Sequence, residues 1–146
     1  MGYRIGTLLL GLLIALPTGC ERAESSTVRA EFGVLFGGDI QDRTTFPLEL
    51  AAERQELALR VTFPEPLAED ALVTWELERP TGQRGPDGGV AYAAELGERR
   101  ARPGERRVDA KLRFRRGDPL GTWRIRVRVN GRLVLEREFR VVQPER

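Results

Sequence analysis

The chain has 146 residues, with 24 Lys and Arg against 22 Asp and Glu, one cysteine and no histidine. Without histidine there is no Ser-His-Asp or Cys-His catalysis, and no imidazole ligand for zinc, copper or haem. The only two serines, Ser25 and Ser26, lie near the N-terminus, and the lone Cys20 can form neither an intramolecular disulfide nor a metal-holding cysteine cluster. These counts point to a protein with no catalytic residue, no cofactor and no metal.

Met1–Arg4 carries one positive charge, and Ile5–Leu16 (IGTLLLGLLIAL) is apolar apart from glycine and threonine. A spanning helix needs about 20 apolar residues, so this shorter run has the size of a secretory h-region that is removed. It ends in Leu16-Pro17-Thr18-Gly19-Cys20, which resembles the lipobox of bacterial lipoproteins. Pro17 stands three residues before the cysteine, where that family usually has Leu, and Leu16 lies one residue earlier. The resemblance implies that Cys20 becomes the first residue of the mature protein and carries acyl chains. An ordinary secretory cut after Ala23 would leave Glu21 at the −3 position, which fits poorly. More than one acyl chain would give stable anchoring, where a single chain binds only marginally.

The expected organisation is a signal peptide over 1–19, the lipidated Cys20 with a short tether over 20–27, a domain over 28–142 and a tail over 143–146. All 22 acidic residues follow Cys20 and only Arg4 precedes it among the basic ones, so the mature chain carries a net charge of +1. A near-neutral domain makes no case for a polyanion binder. The basic residues are 23 Arg and one Lys, a bias that reads as GC-rich codon usage. The tether, Glu21–Thr27, is polar and reaches at most about 25 Å. The domain would therefore sit close to the membrane surface.

From Val28 the apolar pattern has period two, which argues half-buried strands with the apolar face inward. Ala30, Phe32, Val34 and Phe36 form the first series, and Phe46, Leu48 and Leu50 a weaker one. Leu57, Leu59, Val61 and Phe63 alternate cleanly, as do Val73, Trp75 and Leu77. Val90, Tyr92, Ala94 and Leu96 follow, then Val108, Ala110, Leu112 and Phe114. The last series are Trp123, Ile125, Val127 and Val129, and Leu133, Leu135, Phe139 and Val141. Turn residues fall between them at Pro64–Pro66, Pro80–Gly89, Arg102–Gly104 and Gly117–Pro119. The segment 48–57 (LELAAERQEL) competes as a short helix, though without a clean 3.6-residue stripe. Strands at this spacing predict an all-β chain, a single antiparallel β-sandwich of about seven or eight strands.

Asn130-Gly131 signals a two-residue hairpin, yet that loop sets the two flanking apolar stripes on opposite faces of the sheet. An odd loop restores them to one face, so a three-residue loop with a glycine bulge is expected. Arg124 and Arg126 then lie beside Glu136 and Glu138 as cross-strand ion pairs.

Leu72-Val73-Thr74-Trp75 resembles the third strand of immunoglobulin-like domains in bacterial envelope proteins, with its buried Trp. Gly121-Thr122-Trp123 and the hairpin closing in Phe139-Arg140-Val141 resemble their last two strands. The likeness implies an immunoglobulin-like sandwich, resembling small uncharacterised lipoproteins that carry such a domain. Function does not follow from it.

The remaining motifs read mostly as ordinary surface. Carboxylate pairs such as Glu76/Glu78 and Glu136/Glu138 have the i, i+2 spacing that any acidic strand provides, with arginines opposite. Asp39, Asp42, Asp87 and Asp118 could offer oxygens to calcium, but no Asp-x-Asp-x-Asp-Gly loop exists. Lys111 and Tyr92 read as strand residues. Phe32, Phe36, Phe63, Trp75 and Trp123 fall in phase with the core.

Glu98–Asp118 holds nine basic and four acidic residues. Nucleic acid is excluded by export, leaving anionic headgroups or glycolipid as the polyanion for Arg99, Arg100, Arg102, Arg106 and Arg107, within segment 99–116. The reading favoured is a lipid-anchored, non-catalytic module of the bacterial cell envelope, outside the cytoplasm and on the periplasmic side. Its partners would be the membrane, through its anchor, and an envelope protein met by Arg124, Arg126, Glu136 and Glu138. The headgroup-binding segment is the alternative.

Overall fold

The computed structural model describes residues 27–48 and 56–144. The expected signal peptide, Cys20, most of the tether and the strand-or-helix segment at 49–55 therefore lie outside the described residues. The described residues contain strands and no helix. The strands are β1 (Arg29–Phe36), β2 (Asp39–Gln41), β3 (Thr45–Pro47), β4 (Glu56–Thr62), β5 (Ala71–Arg84), β6 (Val90–Ala101), β7 (Arg107–Leu112), β8 (Gly121–Val129) and β9 (Arg132–Val142).

They form two sheets, one of four strands in the order β2-β1-β4-β7 and one of five in the order β3-β9-β8-β5-β6. Every pairing is antiparallel except that of β3 with β9, which is parallel. That short strand seats Phe46, wholly buried, against Phe139, with ring centroids 5.2 Å apart. The aromatic cluster continues through Phe32 to Phe139 at 5.1 Å, Phe139 to Trp123 at 5.9 Å and Trp123 to Phe114 at 5.7 Å. Leu59, Val61, Val73, Ile125 and Val127 fill the remaining space between the sheets. The period-two stripes of β1, β4, β7 and β8 thus do face inward.

Several expectations fail for identifiable reasons. Phe36 keeps the phase of Phe32 and Val34 but is 70% exposed, because it ends the β1–β2 hairpin. Gly37 and Gly38, with φ of 59° and 91°, make that two-residue turn. The Pro80–Gly89 segment is only partly turn, since β5 runs on to Arg84, with a register irregularity between Pro80 and Arg84. The tight turn is Gly85–Gly89, closed by the Gly85 N–H donating to the Gly89 carbonyl.

The apolar stripe of β6 faces outward, opposite to expectation. Register sets Trp75 opposite Gly97 on the core side, and the indole lies where a side chain at 97 would stand. That phase turns Val90, Tyr92, Ala94 and Leu96 to the outer face and puts Glu95 and Arg99 on the core side. Trp75 itself is half-buried, packing at the margin of the core rather than inside it. Arg79, Arg99 and Arg115 close the sandwich along this side. Arg99 donates to the Asp109 carbonyl, Arg115 to Glu95 at 2.8 Å, and Arg79 pairs with Glu95 and lies 5.1 Å over the Trp123 ring. On the opposite side Arg137 does the same, donating to the carbonyls of Phe32 at 3.0 Å and Arg43 at 2.9 Å.

The β8–β9 loop has two residues, not three. Asn130 and Gly131 take φ of 48° and 81°, and Val129 pairs with Arg132. The register is repaired further along, where the pairing passes from Arg128–Leu133 to Val127–Leu135 and leaves Val134 as the extra residue of a bulge. The faces expected for Arg124, Arg126, Glu136 and Glu138 survive by this different route.

Candidate functional site

β8 alternates, so Trp123, Ile125, Val127 and Val129 point into the core while Arg124, Arg126 and Arg128 stand on the outer face of the five-stranded sheet. On one side β9 sets Glu138 opposite Arg124 and Glu136 opposite Arg126. On the other side β5 sets Glu78 opposite Arg124, Glu76 opposite Arg126 and Thr74 opposite Arg128.

Arg124 and Arg126 therefore each stand between two acidic columns, whereas Arg128 lies between Thr74 and Leu133. Arg124 reaches Glu138 at 2.7 Å and Glu78 at 3.1 Å. Arg126 reaches Glu136 and Glu78 at 2.8 Å each, and Glu76 at 3.6 Å. Arg124, Arg126, Glu136 and Glu138 thus come together as the sequence implied. Glu78 reads from sequence only as half of a carboxylate pair facing arginines; that Arg124 and Arg126 share it is what the sequence does not show. Its strand spacing with Glu76 was visible, but nothing local in the sequence makes β5 the neighbour of β8.

The electrostatics follow from these contacts. The hydrogen bond to Glu136, then that to Glu78, raises the pKa of the Arg126 guanidinium, and the Arg126 hydrogen bond holds the Glu136 carboxyl below its ordinary value. The Arg124 guanidinium is raised chiefly by its bond to Glu138. Glycoside hydrolysis needs one carboxyl kept protonated near neutral pH. An arginine-bound Glu136 is tuned the other way. Exposed pairs of this kind add little stability; they fix the side chains into a flat, ordered charge pattern.

β6 borders this grid. Leu96 is 77% exposed and Val90 57%, while Tyr92 lies beneath Arg124, whose guanidinium carbon is 5.7 Å from the ring centroid. A shallow depression of about 480 Å³ on the same sheet is lined by Thr74, Trp75, Glu76, Leu96, Gly97, Glu98 and Arg128.

The five arginines of the other candidate site do not converge. They flank the turn from β6 into β7, and strand alternation sends Arg99 and Arg100 to opposite faces of β6, while Arg102 and Arg106 lie in the turn itself and Arg107 opens β7. Arg100 pairs with Asp70 at 3.4 Å, Arg106 donates to the Pro64 carbonyl at 2.7 Å and Arg107 pairs with Asp109 at 3.2 Å. The Arg102 N–H donates to the Glu105 carboxylate at 2.9 Å, closing the turn. Further along, Lys111 binds Glu56 at 2.8 Å, and this hydrogen bond lowers the Glu56 pKa. The turn nonetheless occupies a definite place. Register aligns the start of β1 with the end of β4 and the start of β7, since Arg29 faces Thr62 and Thr62 faces Arg107. The chain thus enters the sandwich at the pole that carries the arginine-rich turn.

Three of the four aspartates considered for calcium are engaged by protein donors, and Asp39 opens β2 opposite Phe36. Asp118 accepts from Arg79 at 3.3 Å and from the Arg115 N–H at 2.6 Å, Asp87 accepts from the Gly89 N–H at 3.1 Å, and Asp42 binds Arg137. Among the described residues no three acidic, histidine or cysteine groups gather in a way that could hold a metal.

No protein-family model matches the chain, and no curated protein matches its sequence. Among solved structures, an immunoglobulin-like protein from Pseudomonas aeruginosa superposes with a TM-score of 0.50 at 23% identity, over 82% of this chain and 99% of that one. An alkylpurine DNA glycosylase from Pseudomonas fluorescens gives 0.43 at 17% identity, over 79% of this chain and 30% of the enzyme. A β-glucosidase from Listeria innocua gives 0.43 at 10% identity, over 81% of this chain and 16% of that enzyme. The fold is an immunoglobulin-like β-sandwich.

Proposed function

We propose that this protein is a lipid-anchored, non-catalytic module of the bacterial cell envelope that docks a protein partner on the outer face of its five-stranded sheet. The anchoring rests on the Leu16–Cys20 stretch and its resemblance to a lipobox. The docking rests on one observation: a flat sheet face where two arginines are held between acid columns, beside an exposed apolar row ending in Leu96. Arginine and tyrosine beside apolar side chains are what protein interfaces concentrate. The described residues offer neither a histidine nor a serine to a catalytic mechanism.

Photoreactive residues placed at Leu133 and Glu136 on this face, and at Arg60 and Lys111 on the four-stranded sheet, test the reading in intact membranes. Discrete adducts with another envelope protein are expected from the first pair alone. Adducts from the second pair alone, or equally from both, would contradict it.

The headgroup reading keeps one observation in its favour, because the arginine-rich turn shares the pole from which the tether leaves. Against it, four of the five arginines already have partners within the chain. Exposed charges are screened over about 8 Å at physiological ionic strength, so headgroup binding should fall steeply with salt. Vesicle binding of that kind, lost when Arg99, Arg100, Arg102, Arg106 and Arg107 become Gln, would establish this alternative.

A further inference from the structure

We propose that two copies of this chain pair edge to edge through β6, antiparallel, about a two-fold axis at Leu96. β6 is 12 residues long and, among the described residues, its backbone pairs with β5 alone, at the end of the five-stranded sheet. Its other edge leaves a row of backbone N–H and C=O groups without a strand. Natural sheets blunt such edges with proline, lysine or a very short strand, and β6 has none of these. The charges on its core side, Glu95 and Arg99, do not guard the edge either. Glu95 is held by Arg79 and Arg115, and Arg99 by the Asp109 carbonyl. What remains free is the outer row, where Leu96 is 77% exposed.

Symmetry narrows the pairing to few registers. A two-fold perpendicular to the sheet keeps every residue on its own face, so the axis must oppose one residue to its own copy. Axes at Glu95, Glu98, Arg99 or Arg100 oppose like charges, which destabilises a ladder. An axis at Ala94 leaves Arg99–Ala101 unpaired, and one at Gly97 sets Leu96 against Glu98 of the second copy. The Leu96 register uses the strand from Ala91 to Ala101. It opposes Leu96 to Leu96, Tyr92 to Arg100, Ala91 to Ala101 and Ala94 to Glu98, with no like charges face to face. The two five-stranded sheets become one continuous sheet. Antiparallel pairing sends the two chain entries to opposite ends, so chains anchored in one membrane would lie with the two-fold along its normal. The pairing itself does not depend on acylation of Cys20.

Leu96→Cys and Glu98→Cys variants of the full chain, oxidised in membranes, test it. Opposed residues have Cα atoms about 4.5–5.5 Å apart, within the separation a disulfide spans. Glu98 and its copy would be about 13 Å apart along the strand. A disulfide-linked dimer is expected from Leu96→Cys and not from Glu98→Cys, and the wild type reports any contribution from Cys20. Sedimentation of the full chain in density-matched detergent should give a dimer, and Leu96→Arg a monomer with unchanged near-UV circular dichroism. A wild type that stays monomeric would overturn the pairing. So would equal cross-linking at both positions, or a different protein captured on β6 in place of the second copy. The mass of the same purified chain reads acylation separately, so a failure here is distinguished from a failure of the anchoring proposal.

Discussion

Arg126 and Glu136 show how much of this surface is decided by single contacts. Glu136 has its carboxyl pKa lowered in the folded chain, so its contribution to stability is present above the unfolded value and is lost as pH falls through the folded one. In an NMR titration, Arg126→Gln should return the Glu136 carboxyl toward its ordinary 4.5, and an unchanged titration would contradict the grid. The two tryptophans separate what alternation can and cannot tell. Both Trp75 and Trp123 sit on inward phases, but Trp123 is 1% exposed and donates its indole N–H to the Pro119 carbonyl, whereas Trp75 lies at the sheet margin. Trp123→Ala should cost about 3–5 kcal/mol and Trp75→Ala about 1–2 kcal/mol, measured by urea unfolding. Equal costs would refute the marginal placement. Gly97→Ala should destabilise by about 1–3 kcal/mol, because a methyl group there meets the Trp75 indole.

At the level of elements, the sequence was most legible where a strand is covered on one face by the opposite sheet. β1, β4, β7 and β8 announce themselves by alternation because burial on one face selects it. β6 misled for the converse reason. It forms the edge of the five-stranded sheet, so neither face is fully covered, and its phase is set by the fit of Trp75 on Gly97. β3 and β2 are too short to carry a period, and depend on strands distant in sequence. The β8–β9 hairpin shows a conflict read correctly and resolved differently. Turn chemistry favoured two residues, the apolar stripes required a shift, and Val134 supplies it as a bulge.

Asn130 does more than turn the chain. Its N–H donates to the Leu72 carbonyl and its side-chain oxygen accepts the Leu72 N–H, each at 2.8 Å, tying the hairpin to the start of β5. Asn130→Ala should therefore lower stability by about 1–3 kcal/mol, since it loses the side-chain bond and strains a positive φ. Asn130→Gly keeps the backbone conformation and should cost less. The reverse order in thermal melts would exclude this role.

For the whole molecule, composition showed a chain without histidine and with serine only at Ser25 and Ser26, and the sandwich followed from strand spacing. The parallel closure by β3 and the arginine clasps on both open sides were illegible, because each joins residues far apart in sequence. Topology adds an orientation that the sequence alone did not contain. β1 begins at the pole of the arginine-rich turn, so an anchor at Cys20 would hold that pole within the tether's reach of the membrane. Anchoring at Cys20 is thus the premise on which partner, orientation and location depend. The intact mass of the protein purified from membranes tests it directly. The expected mass is that of a chain beginning at Cys20 with acyl groups attached, and Cys20→Ala should retain its leader and lose all acyl label. An unacylated chain beginning elsewhere, or acyl label that persists in Cys20→Ala, would contradict it.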